Sequence, residues 1–335
     1  MSKTDLYAVM GNPIAHSKSP FIHKAFAKQV GHDIAYDPAL IPTEENSFSK
    51  AVQEFQQLGC KGVNVTVPFK QKAWMLCHER SARAEKAGAV NTLSFDELGR
   101  CLGDNTDGVG LVRDFTKNHQ GQLNNKRVLI LGAGGAVRGI LEPLLAEKPT
   151  LCTIANRTVS KAEELVQLFA DEGTLTACSY DALIGQQFDV IINGTSASLQ
   201  GELPPLPDDL LAEHAWCYDM MYAGTATPFI TWALAHNAQK ALDGLGMLVE
   251  QAAESFYIWR GIRPETQAVI SRLRERIIRE QMMPKAPQTI DTNTTTTTQP
   301  VKFMSKKPVN EVGGPEGPEP TRFGDWERKG RCIDF

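Results

Sequence analysis

Arg127–Leu131 reads as a buried strand that runs into a glycine turn, Gly132-Ala133-Gly134-Gly135-Ala136. Glycines at such a turn let the backbone approach a pyrophosphate, and a helix that follows offers free N–H donors at its N-terminus. Val137 stands where a third glycine would complete G-x-G-x-x-G. The next strand, Leu151–Ala155, ends in Asn156-Arg157-Thr158, with Lys161 close behind. No carboxylate stands there to hold a ribose 2′-hydroxyl, whereas the planar donor fork of arginine suits a phosphate. The pattern favours NADP over NAD. A reductase also needs a substrate site with a proton donor. Four polar clusters qualify: Ser17-Lys18-Ser19-Pro20, Asn64 to Lys70, Asn91-Thr92, and Asp104-Asn105-Thr106-Asp107-Gly108. Their hydroxyls, amides, carboxylates and one lysine suit a small polyhydroxylated acid. His16 and His23 flank the serine loop as further, less favoured proton donors.

These residues need a scaffold. Strands are expected at Leu6–Met10, Ile34–Pro38, Gly62–Val67 and Val90–Ser94, and helices at Pro20–Val30, Glu44–Leu58 and near Gln71–Arg83. In Gly62–Val67, Asn64 and Thr66 share one face and the valines the other. A second α/β unit begins near residue 124. Its glycine turn opens a helix to about Ala146, and Thr158–Ala170 is the next, with capping-box spacing at Ser160 and Glu163. Strands at Phe188–Ile192 and Trp216–Met220 follow, joined by a loop through Leu203–Pro207. Two helices, Gly246–Trp259 and Glu265–Gln281, end the unit. Met247, Gln251 and Ser255 form one helical stripe, so Gln251 is placed to face a cleft. Repeated alternation of strand and helix is the α/β class.

The chain has 335 residues, enough for about two domains. A net charge of −4 and a pI near 6.0 leave no electrostatic footprint for nucleic acid or an anionic membrane. No apolar run approaches the roughly 18 residues of a membrane span, and no signal-peptide pattern opens the chain. The seven cysteines are scattered without a C-x-x-C pair, which fits reduced thiols in a cytoplasm rather than disulfides or zinc. No metal is expected. Composition changes near residue 284, where Pro284, a TNTTTTTQ run and GGPEGPEP have little to bury. A flexible linker and tail are expected there.

The ordered strings GNPIAHSKSPFIH, GVNVTVPFK, AGAVNTL, GDNTDGVG, LGAGGAVRG, NRTVSKAEEL, YDMMY and DGLGMLVEQAA resemble the NADP-dependent bacterial shikimate dehydrogenases over residues 5 to 281. The resemblance implies reversible NADPH-dependent reduction of 3-dehydroshikimate to shikimate, a step of chorismate and aromatic amino acid biosynthesis. It implies an N-terminal α/β substrate domain over residues 1–106, onto which helices 246–281 pack back. A Rossmann-type NADP-binding domain over 107–245 follows, with a cleft between the two. Lys70 and Asp107 match the residues that flank the reacting carbon. Ser17, Ser19, Asn64, Thr66, Asn91, Tyr222 and Gln251 match substrate positions. Gly132, Ala133, Gly134, Gly135, Ala136, Asn156, Arg157, Thr158, Val159, Ser160, Lys161, Met220 and Gly244 match cofactor positions. A glutamate sometimes found on the helix after VTVPFK is Ala82 here, which removes any cofactor contact by that carboxylate. The resemblance also allows a homodimer.

The chemistry asked of the pair is simple. Hydride arriving at a ketone carbon leaves charge growing on oxygen, and an ammonium stabilises that charge and gives the proton. Lys70 is read as acid/base, and Asp107 as its partner and substrate anchor. A second resemblance lies in the tail. GGPEGPEPTRFGDWERKGRCIDF, residues 313–335, is similar to the C-terminal signature of the succinate dehydrogenase assembly factor 4 family. It implies binding to the flavoprotein subunit of succinate dehydrogenase, with 284–312 as linker; a fusion of two genes and an erroneous joining of them are the origins left open. The competing readings are a quinate/shikimate enzyme using NAD, which Arg157 disfavours, and an assembly factor with an inert dehydrogenase part. A folate-type reductase leaves the serine loop and NTDG unexplained.

Overall fold

The computed structural model describes residues 4–195, 197 and 201–282. The linker and tail expected at 284–312 and 313–335 lie outside the described residues. Two six-stranded sheets organise the rest.

The first sheet is mixed, with order β2-β1-β3-β5-β6-β4. Its strands are β1 (Asp5–Gly11), β2 (Ile34–Leu40), β3 (Cys60–Val65), β4 (Glu79–Arg80), β5 (Thr92–Phe95) and β6 (Cys101–Asp104). Helices α1 (Ser19–Val30), α2 (Ser47–Gln57), α3 (Lys70–Leu76) and α4 (Ala82–Ala87) connect them. The single helix expected over Gln71–Arg83 is therefore two, with β4 between. Cys77 turns extended, the His78 N–H donates to the Cys101 carbonyl, and the Cys101 N–H donates back to His78 Nδ1. Pairing with β6 thus pulls the chain out of the helix, and Ser81 restarts it by accepting from the Ala84 N–H.

The second sheet is all parallel, ordered β9-β8-β7-β10-β11-β12: the 3-2-1-4-5-6 arrangement of a Rossmann fold. It comprises β7 (Arg127–Leu131), β8 (Leu151–Ala155), β9 (Leu175–Cys178), β10 (Phe188–Asn193), β11 (Leu211–Asp219) and β12 (Lys240–Asp243). Helices α6 (Gly135–Ala146), α7 (Val159–Leu168) and α8 (Pro228–Ala235) pack around it. β9, α8 and β12 lie outside the elements expected from sequence. The capping box expected at Ser160 and Glu163 is not made. The N-cap is Thr158, two residues earlier, so Ser160 lies inside α7.

Three helices join the halves: α5 (Asp107–Arg113), which continues as a π-helical turn over Asp114–Asn118, α9 (Leu245–Arg260) and α10 (Gln267–Met282). One apolar core runs from Ile22 and Phe26 of α1 through Leu111 and Ile140 to Leu248, Phe256 and Leu273. Glycines permit the close passage of α5. A Cβ on Gly108 would lie 2.7 Å from the Gly139 carbonyl, and one on Gly110 2.7 Å from Gln251 Cβ. No helix among the described residues is long and apolar enough to cross a membrane.

Candidate active site

Lys70 opens α3 and Asp107 opens α5. Lys70 Nζ donates to Asp107 Oδ2 at 2.8 Å, and the side chains are 14% and 4% exposed. The lysine is thus an ion-paired donor at a largely dry site that keeps one accessible side. Asp107 is held on three counts. Its Oδ1 accepts from Asn91 Nδ2 at 2.7 Å, its Oδ2 accepts from Lys70, and its backbone N–H donates to Asn105 Oδ1. Starting a helix also suits its negative charge.

A buried polar network backs the pair. Asn91 reaches Thr106 Oγ1 at 2.9 Å and Gln251 Oε1 at 3.3 Å. Gln251 also accepts from Thr106 and donates to the Leu248 carbonyl, so the amide expected to face the cleft meets Asn91 and Thr106. Asn64 donates to the Asn91 carbonyl and to Ser255 Oγ, and accepts from the Tyr36 hydroxyl at 2.7 Å. The β3 strand stops at Val65. Thr66 lies beyond it, buried, its N–H donating to the Met10 carbonyl. Sequence reasoning missed Tyr36 and the bridging role of Ser255. Tyr36 carries no local signal, whereas Ser255 stands on the Gln251 stripe.

The serine loop forms the N-terminus of α1. Ser17 Oγ accepts from the Ser19 N–H at 3.3 Å, Pro20 stands in the first turn, and no acidic residue follows there. Two hydroxyls thus stand at the start of a helix whose own first turn carries no carboxylate, a setting for an anion. His23, one turn on, is fully buried and stacks on Tyr36 with ring centroids 4.4 Å apart. Burial pushes its imidazole down to about 3, although Asn64 pulls the other way. It is neutral at working pH and donates no proton to a substrate. His16 is exposed on the loop.

Across the fold, the C-terminal ends of β7, β8 and β10 are level: Leu131 pairs with Ala155 and with Asn193. The glycine turn stands over this point, where a doubly wound sheet binds its ligand. Gly132 has φ +99°, a conformation that favours glycine, and Gly134 caps α6. A Cβ on Gly135 would meet nothing within 4 Å, so the helix start is open toward solvent. Buried Val137 packs against Gly194 in place of the third glycine. Asn156 Nδ2 donates to the Thr158 carbonyl and shapes the loop after β8. Arg157 is exposed there with no hydrogen bond or ion pair among the described residues, and Lys161 follows on α7. An open helix start and an uncommitted guanidinium at the next strand end fit a phosphorylated dinucleotide. Met220 and Gly244 come together, because a Cβ on Gly244 would overlap the Met220 carbonyl. Tyr222 is half-buried in the loop after β11, and Ala82, exposed at the start of α4, offers no polar atom.

A concavity of about 360 Å³ bounded by Asp243, Gly246 and Arg274 contains none of these candidates and lies at the β12 edge. No cluster of three metal-binding side chains occurs among the described residues.

Family models match residues 9–93 as a shikimate dehydrogenase substrate binding domain, 114–200 as shikimate / quinate 5-dehydrogenase, and 244–274 as a shikimate 5'-dehydrogenase C-terminal domain. The NADP(+) shikimate dehydrogenase of Alkalilimnicola ehrlichii is 62% identical over 271 residues, covering 81% of this chain and 99% of that relative. The chain belongs to the shikimate dehydrogenase family. Among solved structures, an Ael1 enzyme from Pseudomonas putida is 45% identical with TM-score 0.77, covering 81% of this chain and 98% of its own. The shikimate 5-dehydrogenase of Thermus thermophilus, solved with NADP(H) and shikimate, is 28% identical with TM-score 0.72, covering 82% of this chain and all of its own. Residues 287–335 match a separate model described as a protein of unknown function (DUF1674). That description names no activity.

Proposed function

We infer that this chain catalyses the reversible NADPH-dependent reduction of 3-dehydroshikimate to shikimate. It is an oxidoreductase acting on a CH–OH group, and NADP is its cofactor. The observation that carries the reading is the Lys70–Asp107 pair at 2.8 Å, backed by buried amides and hydroxyls. When bound, NADPH supplies the hydride. Lys70 Nζ stabilises the charge growing on the substrate oxygen and gives it a proton; in the oxidative direction the amine takes the hydroxyl proton. Asp107 Oδ2 keeps the ammonium oriented. Asn91, fixed by Thr106 and Gln251, keeps Asp107 from rotating away. Ser17 and Ser19 take the substrate carboxylate at the α1 start, while Asn64, Thr66 and Tyr222 line the remaining walls. The turn from Gly132 to Ala136 would cradle the pyrophosphate. Arg157, with Asn156, Thr158, Val159, Ser160 and Lys161 around it, would hold the 2′-phosphate, and Met220 and Gly244 would contribute to the nicotinamide side.

The test is the rise in NADPH absorbance when the full-length protein meets NADP+ with shikimate or with quinate. A prompt rise with shikimate and a much slower one with quinate is expected. A faster rate with quinate would replace the reading with a quinate/shikimate enzyme, and no rise with either would refute it.

The two separate sheets support dividing the chain into a substrate unit, residues 1–106 with helices 246–281, and a cofactor unit, 107–245. The scattered cysteines support a cytoplasmic location, and a homodimer is the assembly the resemblance allows. For the tail we propose docking to the succinate dehydrogenase flavoprotein through Phe323, Trp326 and Phe335. The separate family match over 287–335 supports reading it as a unit of its own. A pull-down with full-length protein, a chain ending at Met283 and Trp326→Ala tests this. Capture by the full-length protein alone is expected; capture by the short chain, or by none, would remove the partner.

A further inference from the structure

The serine loop is tied to the far end of the described chain. Lys18, between Ser17 and Ser19, is the obvious cation for an anionic substrate, yet its Nζ donates to Glu280 Oε2 at 2.7 Å. Glu280 lies in the last turn of α10, and its other oxygen accepts from Arg276 Nε at 2.7 Å. Arg276 in turn sits over the Phe21 ring, 5.5 Å from its centroid, in the first turn of α1. One i,i+4 pair on α10 therefore grips both the N-cap and the first turn of the helix that presents the serines. Burial opposes the charge on Glu280, but Lys18 and Arg276 outweigh it and hold the carboxyl below its usual range.

The same helix holds the opposite wall. Arg274 donates to the Ala223 carbonyl at 3.2 Å, beside Tyr222, and pairs through two nitrogens with Asp243, beside Gly244. Gln281 packs on Gly224, where a Cβ would overlap it. α10 thus touches the loop before α1, the loop after β11 and the end of β12.

We propose that Glu280 is a positioning residue: through Lys18 it fixes the serine loop against α10 and so sets the apparent affinity for the substrate carboxylate. The inference rests on the reading of Ser17 and Ser19 as substrate residues. In it, Lys18 acts on the loop rather than on the substrate.

Initial rates of the full-length protein test this with Glu280→Gln, Lys18→Met and the double variant, alongside wild type. Glu280→Gln keeps shape and removes charge. An exposed ion pair has a modest effect, so KM for shikimate rises about two- to fivefold. The turnover number, KM for NADP+ and melting temperature stay at wild-type values. The ratio of variant to wild-type KM falls toward one in molar salt, which screens the pair. Lys18→Met raises KM by the same factor and adds nothing in the Glu280→Gln background. An unmoved KM in Glu280→Gln would overturn the proposal. So would equal losses in turnover and in KM for NADP+, or a further KM increase from Lys18→Met in that background, which would assign Lys18 to the substrate itself. Absence of wild-type turnover with shikimate would overturn the functional reading and this one together; wild-type turnover with an unmoved KM overturns this one alone.

Discussion

Lys70 has one carboxylate partner and one accessible side, so its removal deletes the proton donor and leaves Asp107 buried without its counter-charge. Lys70→Ala is expected to lower turnover by about 10² to 10⁴, with NADPH binding, read by fluorescence titration, nearly unchanged. Near-wild-type turnover at saturating substrate would remove Lys70 from the chemistry. Arg157 is exposed in the loop after β8, with no ion pair among the described residues. Arg157→Ala is expected to weaken NADPH by about 1.5 to 3 kcal/mol and NADH hardly at all, the scale of a hydrogen bond to a charged group. Calorimetry with both cofactors checks this, and equal losses would point to a folding role. His23 makes a prediction about pH. Its folded value near 3 lies below the ordinary 6.5, so between these limits the unfolded chain binds a proton that the folded chain refuses. Stability is fullest above about 6.5 and falls as the pH drops toward 3. Between about pH 7 and pH 5 the wild type should lose about 2 kcal/mol more than His23→Phe, read from urea unfolding at each pH. Parallel losses would show that His23 is not the group responsible. At the level of single residues, the sequence nominates candidates because their residue types announce a chemistry. The connections were not: Asn64 and Ser255 bond across 191 residues of sequence, and no local pattern encodes that.

Among the elements, those with continuous apolar character were legible. Arg127–Leu131 and Leu151–Ala155 form as read, because a buried parallel strand carries its own signature. α5 was not. Its DGVG start looks like a loop by propensity, yet it is a helix whose glycines admit α6 and α9 to close contact. The break between α3 and α4 was equally hidden, since strand pairing with β6, remote in sequence, decides it. The glycine packing carries its own test. In Gly110→Ala the new methyl would sit 2.7 Å from Gln251 Cβ and 2.8 Å from the Met247 carbonyl, neither a flexible chain end. Forcing α5 away is expected to cost about 1 to 3 kcal/mol in denaturant unfolding. It should also lower turnover, because Asp107 rides on that helix. Unchanged stability and rate would mean that α5 has slack.

For the whole molecule, the two sheets, the shared core and every candidate site residue lie within residues 4–282. A chain ending at Met283 should therefore keep shikimate turnover within about twofold and its melting temperature within about 2 °C, since no described contact of the core is lost. A large drop in either would make residues 284–335 part of the enzyme. The α/β class and the order of the two units were legible from alternating strands and helices. A return of helices 246–281 onto the substrate unit is implied only by family resemblance, because helix periodicity reports a buried face and not what buries it; α9 and α10 in fact touch both halves.

The proposed role of Lys70 and Asp107 in an NADP-linked oxidation of shikimate is read from NADPH formation by the full-length wild type and by Lys70→Ala at saturating shikimate. The wild type should form NADPH promptly and prefer NADP+ to NAD+ by about tenfold or more, in line with one charged contact of about 1.4 kcal/mol or above, while Lys70→Ala should be nearly silent. No shikimate-dependent NADPH from the wild type, or equal rates from both proteins, would contradict it.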